Sequence, residues 1–259
     1  QLTEDLFILR IRPLEGDVKP FLSGQYCVVG LSPEAPRCKQ AVPEEKASDP
    51  DKLIRRAYSI SSKEQGGDWL ELYIALVKHG ALTPRLDALE RGDKLWLGPK
   101  ITGHFTATPD DLQGCKYLIL VATGTGLAPY ISMLRSGILN RFEGKVCVMH
   151  GVRNARDLGY RSELELLQVS NPNFLYLPTL SRTYDELVPW SGEAGHVQEH
   201  WKAKKIHAAW NADMSPANTH FFLCGNPAMI QAMTETLVEE GYTEHSKTNP
   251  GQIHVEKYW

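Results

Sequence analysis

Apolar positions along the chain fall into two textures. Up to about Thr108 they come as short runs broken by turn residues. Leu6-Phe7-Ile8-Leu9-Arg10-Ile11 alternates imperfectly, as a strand with one buried face does, and Gly24-Gln25-Tyr26-Cys27-Val28-Val29 opens a second run after a turn. Arg55 to Ser62 and Trp69 to Val77 add two more, and Lys94-Leu95-Trp96-Leu97-Gly98-Pro99 follows the turn at Gly92-Asp93. One helix start interrupts them, with Thr83 expected as N-cap and Pro84 as first helical residue, where its missing N–H costs nothing. Many short strands and a single helix predict a small antiparallel β-barrel over residues 1–108.

After the polar stretch Ala107-Thr108-Pro109-Asp110-Asp111 the pattern changes, and a second domain is expected over residues 112–259. Tyr117-Leu118-Ile119-Leu120-Val121-Ala122 is continuously apolar, as in a parallel strand buried on both faces. Lys145 to His150, Phe174 to Leu180 and Phe221 to Leu223 repeat that texture. Met229, Ile230, Met233, Leu237 and Val238 recur at helical spacing before Gly241. Strands alternating with helices predict a parallel α/β domain of Rossmann type.

Composition narrows the function classes. A formal net charge of −3 gives no reason to expect nucleic acid, no apolar run is long enough for a membrane span, and the first residues show no signal-peptide pattern. The five cysteines are scattered, without CxxC spacing or the run that holds a plant-type iron–sulfur cluster. No metal is expected, and a reducing, cytoplasmic compartment is the default. Between Ser32 and Arg55, prolines interspersed with Glu44, Glu45, Lys46, Asp49, Asp51 and Lys52 read as a long exposed loop.

Several stretches carry chemistry. In Arg56-Ala57-Tyr58-Ser59, strand alternation puts a guanidinium and an aromatic ring on one face, with a hydroxyl next to them. Such a set suits a flavin dinucleotide: arginine forks onto a pyrophosphate, the ring stacks on a flat heterocycle, and the hydroxyl bonds a ring nitrogen. Taken alone, the octapeptide from Arg55 to Ser62 reads better as an edge strand with a surface arginine and a core tyrosine. One strand later, Gly80-Ala81-Leu82-Thr83 offers backbone N–H groups to a phosphate. Thr123-Gly124-Thr125-Gly126 lies between a buried strand and a helix, where glycines let the backbone approach a phosphate; Pro129 stands where a third glycine would complete GxGxxG. The next two strands end in Arg153 and in Ser181-Arg182, rather than in the acid that would bond the ribose of NAD, so a 2′-phosphate is favoured. Cys224 closes the following strand, either as a functional thiol or as a buried structural one.

Four motifs in this order, Arg56-Ala57-Tyr58-Ser59, Gly80 to Thr83, Gly124 to Pro129 and Cys224-Gly225-Asn226-Pro227 with Met229, resemble those of the ferredoxin/flavodoxin–NADP reductases. The ending Val255-Glu256-Lys257-Tyr258-Trp259 resembles their bacterial branch. The resemblance covers essentially the whole chain. It implies an FAD-binding antiparallel barrel followed by an NADP(H)-binding α/β domain, and an enzyme exchanging hydride between NADP(H) and FAD and single electrons with ferredoxin or flavodoxin. By resemblance, Arg56 binds the pyrophosphate, Tyr58 stacks on one flavin face and Ser59 approaches N5. Ala57, Tyr73, Ile74, Ala75, Gly80, Ala81, Leu82 and Thr83 complete the flavin site. Thr123, Gly124, Gly126, Arg153, Ser181, Arg182, Gly225 and Met229 fall on the nucleotide side. Ser59, Cys224, Glu256 and Tyr258 would form the hydride-transfer site, with Tyr258 covering the flavin face that nicotinamide must enter and Trp259 reaching toward adenine. The 32–55 loop is longer than in compact members and inherits no role. Gly195-His196-Val197 stands where relatives often show Gly-Arg-Ile, removing one fixed charge from the 2′-phosphate pocket. An NADH-dependent oxygenase reductase component and an electron-transfer subunit of a larger complex are the competing readings.

Overall fold

A computed structural model describes residues 1–257 other than Glu45, Ala47, Gly66 and Asp110. The chain divides into two compact units, Gln1–Thr106 with Ile131–Ser136, and Ala107–Tyr130 with Gly137–Trp259.

The first unit contains β1 (Leu6–Ile11), β2 (Tyr26–Leu31), β3 (Ile54–Ser59), β4 (Leu70–Ala75), the short helix α1 (Thr83–Asp87) and β5 (Trp96–Leu97). β1 pairs antiparallel with β4, and β2 lies between β3 and β5, also antiparallel. Isolated antiparallel bridges from Ile60 to Leu72 and from Tyr26 to Thr102 extend the pairing. Cys27, Val29, Ile60 and Leu72 are fully buried in a core that also takes Leu86 of α1. Burial of these aliphatic groups stabilises the unit by roughly 1.5–3 kcal/mol per large side chain. One carboxylate shares the interior: Glu71 on β4, 1% exposed, lies 2.8 Å from Arg10 Nε and 2.6 Å from Arg135 Nη1. Two guanidinium groups thus meet on one buried carboxylate, the pairing that burial of such a group calls for.

The second unit contains β6 (Tyr117–Thr123), α2 (Ala128–Arg135, from Ile131 on grouped with the first unit), α3 (Ile138–Arg141), β7 (Lys145–Val152), α4 (Arg161–Ser170) and β8 (Phe174–Leu180). It continues through β9 (Glu193–Ala194), α5 (Val197–Lys202), α6 (Lys205–Trp210), β10 (Thr219–Cys224), α7 (Pro227–Glu239) and β11 (Ile253–Glu256). All six strands are parallel, in the order β11-β10-β6-β7-β8-β9. From β6 the chain adds strands on one side and then returns to place β10 on the other, so the carboxyl ends of β6 and β10 flank a topological switch point. Leu118 to Ala122 are fully buried, as the continuous apolar run requires. On one face of the sheet Trp201 meets Phe221 edge-on at 4.8 Å within a core that includes Met229, Ile230, Met233 and Leu237 of α7. Asn226 caps α7 by accepting the Ala228 N–H at 2.8 Å, and Pro227 occupies its first turn. Among the described residues no helix is long and apolar enough to cross a membrane, and no cluster of His, Cys, Asp and Glu is arranged to hold a metal ion.

Candidate functional site

The flavin motif lies on β3, paired with β2 so that Tyr58 faces Cys27 and Ser59 faces Tyr26. Arg56 and Ala57 are exposed, Tyr58 is half-buried against the barrel core, and Ser59 is buried. The Arg56 guanidinium bonds its neighbour's carbonyl, Arg55 O, at 2.7 Å, which leaves most of its fork for an anion. Burial pushes the Tyr58 phenol pKa up, with the nearby Arg56 charge opposing, so the ring stays neutral. Of the neighbouring β4 residues, Tyr73 and Ile74 are buried at 3% and 1%, whereas Ala75 is exposed.

Thr83 does not cap α1 as expected. Leu82 is the cap residue, its carbonyl accepting from Arg85 and Leu86 N–H, while the Thr83 hydroxyl turns back to Val77, accepting from its N–H at 2.9 Å and donating to its carbonyl at 3.2 Å. The side chain therefore closes the turn that contains Gly80 instead of serving its own helix. Nor is the 32–55 loop merely exposed: Arg37 and Glu44 are partly buried against this turn, and Arg85 of α1 reaches into the loop.

At the switch point, Thr123 Oγ1 accepts the Asn226 N–H at 2.6 Å and ties the end of β6 to the turn after β10. Gly225 has φ +134°, and a Cβ there would lie 2.2 Å from Thr123 Oγ1. The two glycines of the first loop differ in kind. Gly124 has φ +52° and a Cβ would meet nothing within 4 Å, so this position is open to a ligand. At Gly126 a Cβ would lie 2.3 Å from Cys224 O and 2.8 Å from Gly225 Cα, so its missing side chain serves strand-to-loop packing. Beneath the loop, fully buried His150 places Nε2 3.1 Å from Gly124 O, and desolvation lowers its pKa to about 4. The imidazole is neutral at physiological pH, and the hydrogen bond to a carbonyl requires the proton on Nε2.

Arg153 and Arg182 are exposed and Ser181 is half-buried at the ends of β7 and β8. Their backbones are stitched together: Ser181 N–H donates to Val152 O and Arg182 N–H to Arg153 O, both at 3.0 Å. Glu186 accepts the Ala155 N–H at 2.8 Å and holds the loop after Arg153 to the loop after Arg182. His196 is exposed at the start of α5, and its N–H donates to the Glu199 carboxylate at 3.0 Å. Cys224 and Glu256 are register partners on β10 and β11, both buried. Burial first, and then the Glu256 charge, raises the Cys224 pKa, so the sulfur is a thiol rather than a nucleophilic thiolate. Met229, 6% exposed, packs in the core of the second unit. Tyr258 and Trp259 lie outside the described residues.

Sequence reasoning passed over His150, Arg37, Arg85 and Glu186, and named Asn226 only as part of the motif from Cys224 to Pro227. Only Asn226 had a local signal, as a polar cap before Pro227. The others act through partners distant in sequence.

Residues 120–235 match the family described as oxidoreductase NAD-binding domain. The flavodoxin/ferredoxin–NADP reductase of Shigella flexneri is 30% identical over 259 residues, covering 99% of this chain and 94% of that protein. The enzyme of the same name from Escherichia coli strain K12 is 29% identical with the same coverage, 99% and 94%. The crystal structure of a ferredoxin NADP+ reductase from Neisseria gonorrhoeae, with bound FAD and NADP, superposes with a TM-score of 0.82 at 26% identity, covering 100% of this chain and 94% of that one. With identity at this level running nearly end to end through both units, the chain belongs to the flavodoxin/ferredoxin–NADP reductase family.

Proposed function

We propose that this protein is an FAD-dependent enzyme exchanging a hydride between NADP(H) and flavin, and single electrons with ferredoxin or flavodoxin, in the cytoplasm. The barrel, residues 1–108, is the flavin domain and residues 112–259 the nucleotide domain, with the C-terminal tail serving the flavin. What carries the reading is the meeting of Gly124, Gly225, Arg153 and Arg182 at the carboxyl edge of one parallel sheet. Open space at Gly124, on the same sheet edge as two exposed arginines whose backbones are joined and which have no carboxylate partner among the described residues, fits a phosphorylated dinucleotide. On the barrel, an exposed guanidinium two residues from a half-buried neutral tyrosine fits a flavin dinucleotide.

Bound flavin supplies two-electron exchange with nicotinamide and one-electron exchange with a protein partner. The chain supplies binding and orientation. Arg56 takes the pyrophosphate through paired charge-assisted hydrogen bonds, and Tyr58, held neutral, offers a ring face. Arg153 and Arg182 hold the 2′-phosphate, and the thiol of Cys224, protonated and buried, packs without competing as a nucleophile. Glu256 is fixed beside it by strand register.

The purified protein should be yellow, release FAD on denaturation, and oxidise NADPH faster than NADH with flavodoxin or ferricyanide as acceptor. A colourless preparation that takes up no added FAD refutes the flavin assignment. Equal rates with both nucleotides refute the 2′-phosphate assignment.

A further inference from the structure

The loop ahead of β3 is bound to the turn that follows β4. Arg37 Nη2 donates to the carbonyl oxygens of Lys78 at 3.2 Å and Gly80 at 3.3 Å. Val42 N–H donates to the same Lys78 oxygen at 3.0 Å, and Cys38 N–H to Pro84 O at 2.9 Å. From the other side Arg85, 6% exposed, donates to Ala81 O at 2.6 Å and doubly to Pro33 O at 2.5 and 3.2 Å. Glu44 joins the two cations: its Oε1 is 2.5 Å from Arg85 Nη1 and 3.8 Å from Arg37 Nε, and its other oxygen accepts from the Ser48 hydroxyl at 2.8 Å.

The carbonyls of Lys78, Gly80 and Ala81 are thus all held by loop donors or by Arg85. A trans peptide is planar, with its N–H opposed to its C=O. Holding the Gly80 and Ala81 oxygens toward the arginines therefore directs the N–H groups of Ala81 and Leu82 the opposite way. Among the described residues neither of these N–H groups has an acceptor.

We propose that Arg37 and Arg85 are positioning residues for FAD: with the 32–53 loop they set the peptide planes of the turn so that its N–H groups are presented to the pyrophosphate. The inference rests on the flavin reading above, which assigns that anion to the turn. Neither arginine touches the cofactor; each acts through a backbone carbonyl. The loop is then a brace for cofactor retention, and its extra length serves to carry Arg37 and Glu44 to the turn.

Arg37→Ala is the test, read as affinity for FAD and for riboflavin, which lacks the pyrophosphate, together with the melting temperature of the apoprotein. FAD should bind about fivefold or more weakly, from the loss of charge-assisted bonds that orient the turn, while riboflavin affinity stays within about twofold. Both carbonyl bonds come from the single nitrogen Nη2, so Arg37→Gln, neutral and too short to reach both carbonyls, should resemble Arg37→Ala, and it carries the comparison if the alanine variant does not fold. Unchanged FAD affinity in both Arg37 variants, with weakened affinity in Arg56→Ala, overturns the brace and leaves the flavin assignment standing. No loss in either Arg37→Ala or Arg56→Ala overturns both. Parallel losses of FAD affinity, riboflavin affinity and apoprotein melting temperature overturn the positioning role in favour of plain structural support.

Discussion

Replacing Gly126 by alanine separates two explanations of the Gly124-Thr125-Gly126 loop. If both glycines exist to admit a phosphate, Gly124→Ala and Gly126→Ala should damage nucleotide binding alike and leave stability nearly unchanged. The geometry gives a different answer. A Cβ at Gly126 would stand 2.3 Å from Cys224 O, 2.6 Å from Cys224 C and 2.8 Å from Gly225 Cα, all backbone atoms at or just past the end of β10. No rotamer relieves this, so the loop or the strand end must move by about 1 Å to restore ordinary contact. Overpacking of this kind costs about 1–3 kcal/mol, and rigid backbone on the far side argues for the upper end. At Gly124 nothing lies within 4 Å, and the left-handed backbone at φ +52° costs an alanine about 1–2 kcal/mol. For a unit of this size 1 kcal/mol moves the melting temperature by about 2–4 °C. Calorimetry without added nucleotide should therefore show Gly126→Ala melting on the order of 6–12 °C below the parent and Gly124→Ala falling by clearly less. NADP+ affinity should drop in both, in Gly126→Ala because the displaced loop carries Thr123 and Gly124 with it. A Gly126→Ala protein that melts within 2 °C of the parent (about the shift of 1 kcal/mol or less) would refute the packing argument and restore the phosphate explanation.

Four further outcomes are expected. Arg56→Ala should weaken FAD binding about tenfold or more, measured by flavin fluorescence on reconstitution, because a charged hydrogen-bonding partner worth roughly 1.5–3 kcal/mol is lost. Arg182→Ala should raise KM for NADPH far more than for NADH, since only NADPH has the 2′-phosphate; equal effects on both would move the pocket elsewhere. On the proposal that the C-terminal tail serves the flavin, with Tyr258 covering it, Tyr258→Ser should improve NADH use proportionally more than NADPH use and add flavin–nicotinamide charge-transfer absorbance, since displacing the ring would consume binding energy that NADPH draws from its 2′-phosphate contacts; an unchanged ratio without new absorbance counts against that role. His150, with a folded pKa lowered to about 4 by desolvation against 6.5 unfolded, binds fewer protons when folded, so its contribution is complete above pH 6.5 and is lost as pH falls toward 4. The loss is on the order of 3 kcal/mol; unfolding followed from pH 7 to 4 should show a shallower slope in His150→Gln, and identical slopes would contradict a neutral buried imidazole.

The sequence by itself determined the strand pattern, because alternation and continuous apolar runs are local statements about which faces are buried. β1 occupies the six residues of the first alternating run, and the run at Tyr117 became the fully buried strand β6. The order of the four motifs likewise pointed to the family, since each spacing reflects a local turn, strand end or helix start. α5 was less legible: six residues form it, with Val197, His200 and Trp201 buried, too few for a periodic signal to stand out.

Only the tertiary structure decided the roles of residues whose partners are remote. A glycine that admits a ligand and one that admits a neighbouring strand look the same in sequence, and Gly126 differs from Gly124 because β10, almost a hundred residues later, ends against it. Met229, which the sequence places both in a nucleotide-side motif and in an apolar helical repeat, packs in the core of its unit. Thr83 had the chemistry of a cap and turned instead to Val77. The charged stretch after Ser32 had the composition of a solvated loop, but Arg37 and Glu44 each find partners 41 residues away in the turn and in α1. Polar side chains advertise that they need a partner, while their composition carries no information on its distance along the chain; chain closure around the barrel supplied it.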